Sequence, residues 1–257
     1  MPANRKNSAA AFTITELVVV IGITVLLASL VLGAVRNLQM STRRAKCASN
    51  LRQMAVAAIA YAEDNKGEFP WATRYNVPGY EKWCWDFMTP AGGKPEPGAM
   101  WNGYGLNSIL QCPSYLNGRA NWDDDPFTGY NYNAAYIGKA ETSFDSNSWT
   151  RPTRMSHIKN PSATALFGDG HYKGGANKFM RAPQYEPDYD GAGTGIRQSG
   201  TQGFRHAGKT NVAFADGHVE ALANSYDGSG KPGFVSVSFD RVNCGFISED
   251  NRLYDLN

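Results

Sequence analysis

Two short segments of this 257-residue chain gather imidazole and carboxylate groups. Phe167-Gly-Asp-Gly-His171 and Phe214-Ala-Asp-Gly-His218 are near-copies, and His206 precedes Asp216 with nine residues between them. Histidine nitrogen and carboxylate oxygen suit zinc or a similar ion. His206, Asp216 and His218 therefore form one candidate ligand set, and Asp169 with His171 another. The plainer alternative is that His206 hydrogen-bonds Asp216 and braces a turn. Glu186-Pro-Asp-Tyr-Asp-Gly191 spaces acids as the start of a calcium loop does. Position twelve of such a loop, however, needs a bidentate glutamate and here is Arg197, which favours an acidic solvated loop.

The four cysteines, Cys47, Cys84, Cys112 and Cys244, include no Cys-x-x-Cys pair, so a zinc ribbon or thioredoxin motif is not expected. If the globular part lies outside the cytoplasm, Cys84 and Cys112 are the favoured disulfide, both falling in its loop-rich first half. Cys47 with Cys244 is the other pairing left open. Ser156-His-Ile-Lys159 has the Ser-x-x-Lys pattern without its companion motifs. Gly191-Ala-Gly-Thr-Gly195 is not a dinucleotide fingerprint. With no Walker A, HExxH or GxSxG either, no enzyme is expected. A formal charge of +2 is too small to argue for nucleic acid as a partner.

Several elements must position these groups. Asp-Gly between apolar runs is a strong hairpin signal, because a type I′ turn needs positive φ at both central residues. Both Asp-Gly-His segments are thus expected as tight turns. Strands are expected near Ala163–Phe167, Asn211–Ala215, His218–Ala221 and Phe234–Phe239. Between Trp71 and Trp149 lie Trp83, Trp85, Trp101, Tyr104, Trp122, Tyr130 and Tyr132 among Gly, Pro and Asn. Such rings fill a small core, or, if exposed side by side, stack on sugars.

A polar, basic leader precedes a continuous aliphatic run, Leu17 to Val35. A membrane span needs about 20 such residues, and the run exceeds the apolar core of a secretory signal. Glu16 at its edge is costly, by about 2.5–3.5 kcal/mol for an acid at mid-bilayer and less near the boundary. Cleavage between Ala11 and Phe12 would place a new α-amine within a turn of this carboxylate, which also suits the positive end of a helix. In a bundle, Glu16 of one copy could pair with a neighbour's amine and set axial register. Leu51, Met54, Ala55, Ala58, Ile59 and Ala62 continue an amphipathic helix, opposite Arg43, Arg44, Lys46, Arg52 and Glu63. Asn65-Lys66-Gly67 is its stop, with Gly67 as the left-handed cap and Pro70 beyond.

Ala11-Phe-Thr-Ile-Thr-Glu-Leu-Val-Val-Val-Ile21 resembles the class III prepilin signal of type IV pilins and type II secretion pseudopilins. The family prefers Gly before the cut, where this chain has Ala11. Further segments resemble the subgroup of prepilin-type proteins described by a processing-associated H-x9-DG motif. They are Arg44 to Met54, Gly67-Glu-Phe-Pro70, Leu110-Gln-Cys-Pro-Ser114, Tyr130-Asn-Tyr-Asn133, Lys159 to Asp169, and His206 to Asp216-Gly217. The resemblance implies an α+β, pilin-like fold: a long N-terminal helix, transmembrane in its first half, packed on an antiparallel sheet with long loops. It divides the chain into a leader (1–11), a transmembrane and assembly helix (12–35), an amphipathic continuation (36–66) and a β-rich globular domain (67–257). Prepilin peptidase would cut before Phe12 and methylate it, and Glu16 would serve assembly. The implied partners are that peptidase, other pilin or pseudopilin subunits and the inner membrane, with the C-terminal domain periplasmic or extracellular. Calcium, bound in a late loop by major pseudopilins, enters by this analogy, and zinc through the histidine sets above. The rival expectation is a membrane-stalked glycan- or metal-binding surface protein that does not polymerise.

Overall fold

The computed structural model describes residues 13–74, 77–101, 110–115, 126, 128–139, 151–171, 178–183, 201–226 and 244–257. The fold is α+β, with one long N-terminal helix and mixed, mainly antiparallel sheets. Two compact units divide it, residues 1–42 and 43–257. Helix α1 runs Ile14–Asp64. A capping box starts it. The Thr13 backbone N–H and hydroxyl donate to Glu16 Oε2 at 2.9 and 2.8 Å, and the Glu16 N–H donates back to Thr13 Oγ1 at 3.2 Å. Glu16 therefore has a local role that the sequence reading overlooked.

The first unit's share of α1 is exposed along its whole length, from Ile14 through Leu38 and Met40, and is long and apolar enough to cross a membrane. In the second unit the helix buries one stripe, Cys47, Asn50, Leu51, Met54, Ala55, Ala58 and Ala62, with Ile59 at its margin. Its other face carries exposed Arg43, Lys46, Arg52 and Glu63. The helix ends as a Schellman turn, with Gly67 N–H on Ala62 O at 2.7 Å. Lys66, at φ 59°, takes the left-handed position expected of Gly67, which follows at φ 81°.

A small antiparallel sheet comprises β1 (Thr73–Arg74), β2 (Tyr80–Cys84), β3 (Phe87–Pro90) and β4 (Glu96–Pro97), paired in that order. The main sheet comprises β5 (Tyr130–Asn133), β6 (Ala165–His171), β7 (Phe179–Met180), β8 (Thr201–Gly203), β9 (Thr210–Phe214), β10 (Val219–Leu222) and β11 (Cys244–Gly245). Its order is β10-β9-β6-β5-β7, with β8 also on β6 and β11 on β8. The β5–β7 pair is parallel, a departure from the all-antiparallel expectation.

The strands expected at 163–167, 211–215 and 218–221 correspond to β6, β9 and β10, whereas 234–239 lies outside the described residues. Asp169-Gly170-His171 is not a turn. It continues β6, with Tyr130 of β5 opposite Asp169 on one edge and β8 opposite Gly170 and His171 on the other. Ladder bonds on both edges outweigh the local turn preference of Asp-Gly. Asp216-Gly217 does turn, but as a three-residue loop. Only Gly217, at φ 87°, is left-handed, with its N–H on Phe214 O and the Phe214 N–H on His218 O, both at 2.9 Å. The type I′ geometry appears instead at Ala207-Gly208 (φ 54° and 75°), bracketed by reciprocal bonds between His206 and Lys209.

Both faces of the main sheet are covered, which is why β6 and β9 are buried at every residue. Along β9, Ala213 belongs to the helix-side core, while Val212 and Phe214 belong to a second core. The helix-side core holds Trp85, Trp101, Tyr130, Tyr132 and Phe167, with Tyr132 stacked on Phe167 at 4.9 Å. These rings are core, not a sugar platform; Trp71 and Trp83 are half-buried, and Tyr104, Trp122 and Trp149 lie outside the described residues. The second core is closed by Cys244, Phe246, Ile247 and Tyr254. Between the sheets Lys178 Nζ meets Asp86 Oδ1 at 2.9 Å, with both side chains essentially buried.

Candidate metal centre

Asp169 occupies a special place in β6. Val212 of β9 faces Gly168 and Gln202 of β8 faces Gly170, so both strands lie along one edge of β6. The chain leaves that edge between them, through residues 204–209, and the tight Ala207-Gly208 turn returns it. This excursion carries Arg205 and His206 onto the Asp169 carboxylate. His206 Nε2 lies 3.3 Å from Asp169 Oδ2 and Arg205 Nε 3.9 Å from Oδ1. The Asn211 N–H, where β9 resumes, donates to Oδ2 at 2.8 Å. Arg205 Nη2 donates to Gly129 O and Gly170 O, each at 2.7 Å, which fixes the excursion against the sheet.

Two thiols complete the cluster. Cys47, on the buried stripe of α1, donates to Asp169 Oδ1 at 3.0 Å. Cys112 is anchored by its N–H on Thr128 O, and its Sγ lies 3.7 Å from His206 Nε2. The four ligand atoms lie within 4.8 Å of one another and all four residues are buried, a grouping able to hold a metal ion.

Mutual contact sets the protonation states. Burial pushes the Cys47 thiol up. Cys112 falls to about 6, because the Cys47 thiol and then His206 hydrogen-bond to it against the effect of burial. Burial alone would lower His206, but hydrogen bonds to Asp169 and Cys112 raise it to about 9. Burial would raise Asp169, yet the His206 hydrogen bond and the Arg205 charge hold it below the usual carboxylate range. A nucleophilic relay is not built here. Such a relay needs the carboxylate on one imidazole nitrogen and the thiol on the other, whereas both face Nε2.

The sequence reading proposed two separate ligand sets, and the structure takes one member from each. His206 joins Asp169. His171 is buried at the end of β6, outside the cluster. Asp216 and His218 pair with each other at 2.6 Å on the exposed hairpin, with the His218 ring stacked on Phe214 at 4.5 Å. The Asp216 carboxylate also accepts the His218 N–H. His206 thus does not brace Asp216. The Cys84–Cys112 disulfide is not formed, nor is Cys47–Cys244: none of the four cysteines is in a disulfide. Cys84 bonds Thr73 across the β1–β2 ladder, and Cys244 sits in the second core. The missed signal lay on α1, where Cys47 precedes Leu51 by four residues and so shares its buried face. The 186–191 acidic segment, Ala11 and Phe12 lie outside the described residues. Searches against family models, curated proteins and solved structures find no match to this chain.

Proposed function

We propose that this chain is a membrane-anchored structural subunit, a pilin or pseudopilin of a type IV pilus or type II secretion-like filament, cut between Ala11 and Phe12 and methylated there by prepilin peptidase. One observation carries the reading. From Leu17 to Val35 the first unit's share of α1 is an exposed, mainly aliphatic surface, and the only acid in that share is Glu16, at its very start. Water does not tolerate an apolar surface of that extent, so lipid or neighbouring copies must cover it. Within either environment an ionised carboxylate needs a partner. Thr13 supplies hydrogen bonds but no charge. A neighbour's Phe12 amine supplies the charge, and the pairing sets subunit register.

The capping box permits a clean test, because glutamine serves at the same position as glutamate. Glu16→Gln keeps the helix start and removes the charge, whereas Glu16→Ala removes both. Mass spectrometry of the mature N-terminus reads processing, and sheared-filament or cross-linking assays read assembly. Glu16→Gln is expected to be cut and methylated yet fail to assemble. Normal assembly of Glu16→Gln, or a wild-type chain that keeps its leader, refutes the reading.

A second reading is a membrane-stalked surface protein that binds metal and does not polymerise. The buried Cys47, Cys112, Asp169 and His206 cluster favours it over a glycan binder, since Trp85, Trp101, Tyr130 and Tyr132 are buried. Undisturbed membrane insertion and folding of Glu16→Gln, with no filament in wild type, would favour this alternative.

A further inference from the structure

We propose that Cys47, Cys112, Asp169 and His206 form a closed, four-coordinate zinc(II) site that fastens the amphipathic part of α1 to the main sheet. The inference does not depend on whether the chain polymerises. It rests on geometry, donor chemistry and charge.

Zinc in structural sites is tetrahedral, with bonds of about 2.0 Å to nitrogen and oxygen and about 2.3 Å to sulfur. A tetrahedron of those bonds has edges of about 3.3 Å between nitrogen and oxygen and about 3.5 Å between sulfur and nitrogen. The corresponding separations here are 3.3 Å for His206 to Asp169 and 3.7 Å for Cys112 to His206. Cys47 Sγ lies 3.0 Å from the other carboxylate oxygen, Asp169 Oδ1, and would open slightly around an ion bound to Oδ2. The imidazole presents one nitrogen, Nε2, to the shared centre, as a ligand does.

Two sulfurs with one imidazole select a soft or borderline ion. Calcium and magnesium take oxygen ligands and do not suit this set. Four protein donors leave no open position, which marks a structural site and not a catalytic one. Two thiolates, a carboxylate and neutral imidazole around zinc carry one net negative charge. Arg205, 3.9 Å from Asp169 and only 15% exposed, offsets it, so the buried assembly is neutral.

The four ligands come from α1, the 110–115 segment, β6 and the excursion between β8 and β9, four segments remote from one another along the chain. An ion there ties all four into one unit. The metal is therefore coupled to docking of the helix on the sheet.

The test uses the full chain in detergent, purified under reducing conditions without added chelator. Elemental analysis is expected to give one zinc per chain. Cobalt(II) replacing it is expected to give the ligand-field bands of a tetrahedral site and thiolate-to-cobalt charge transfer. Chelation is expected to lower the melting temperature of wild type and of Asp216→Asn, whose carboxylate lies on the exposed hairpin. Cys112→Ser and Asp169→Asn are expected to lose zinc affinity by more than about tenfold and to melt at one temperature with or without chelator. Should those variants fold poorly, the wild-type zinc content and cobalt spectrum decide alone. Absence of stoichiometric zinc, or an octahedral cobalt spectrum, overturns the proposal.

Discussion

Lys178→Met tests how the small and main sheets are held together. The Lys178 ammonium lies 2.9 Å from Asp86 Oδ1, with the two side chains 3% and 0% exposed. Their neighbours multiply the stakes. Phe87 N–H donates to the same Asp86 oxygen at 3.0 Å, Trp85 Nε1 donates to Lys178 O at 2.8 Å, and Trp101 Nε1 donates to Asp86 O. Removing one partner of a buried ion pair typically costs about 3–5 kcal/mol, chiefly through the charge that stays buried. For a unit the size of residues 43–257 each kcal/mol moves the melting temperature by about 2–4 °C, so a drop of about 6–20 °C is expected. The double variant Asp86→Asn/Lys178→Met removes both charges, while the amide oxygen of the new side chain can still accept from Phe87 N–H. It should recover most of that loss. Thermal and urea unfolding of the detergent-solubilised chain, followed by tryptophan fluorescence, supplies the four corners of the cycle. A single-variant cost under about 1 kcal/mol, or a double variant no better than the single, would refute the argument that uncompensated burial dominates.

Substitutions at two further positions probe the packing around Trp85 and Tyr132. A Cβ at Gly98 would lie 2.4 Å from the Trp85 carbonyl oxygen and 2.7 Å from the Asp86 carbonyl carbon, backbone that cannot swing aside. Gly98→Ala should therefore cost at least about 1–3 kcal/mol in the same unfolding assay. The Tyr132 hydroxyl, fully buried, donates to Pro70 O at 2.9 Å. Tyr132→Phe keeps the ring stack on Phe167 but strands that carbonyl, an expected loss of about 1–2 kcal/mol, while Tyr132→Leu should lose more.

Local patterns made the helix legible. The aliphatic run, the stripe beginning at Leu51 and the Asn65-Lys66-Gly67 stop each depend on neighbours within a turn. The capping box was equally local, in Thr13-Ile-Thr-Glu16, but the cost of burying Glu16 drew attention from it. Asp169-Gly170-His171 misled because its fate depends on strands about 30–40 residues away in either direction along the chain. No turn propensity contains that information. The cluster was half legible: Asp169 and His206 were named, though in different sets. Their union needs the 204–209 excursion opposite Asp169, and the thiols needed the stripe of α1 to be followed one turn back from Leu51. The second core was not legible, because Cys244, Phe246 and Tyr254 sit in a segment with neither periodicity.

The covering of the sheet's far face by residues 244–257 has a temporal consequence. Asn133 donates to Tyr254 O and Thr164 to Asp255 O, so inner strands take hydrogen-bond partners from the final stretch. Synthesis delivers α1 first and this stretch about 180 residues later, which at about 5–20 residues per second is about 10–40 s. From the completion of β6 at His171 until then, the nascent sheet has one naked side. If the chain is membrane-anchored as proposed, it would wait there half-finished, held by its helix, until the closing segment arrived.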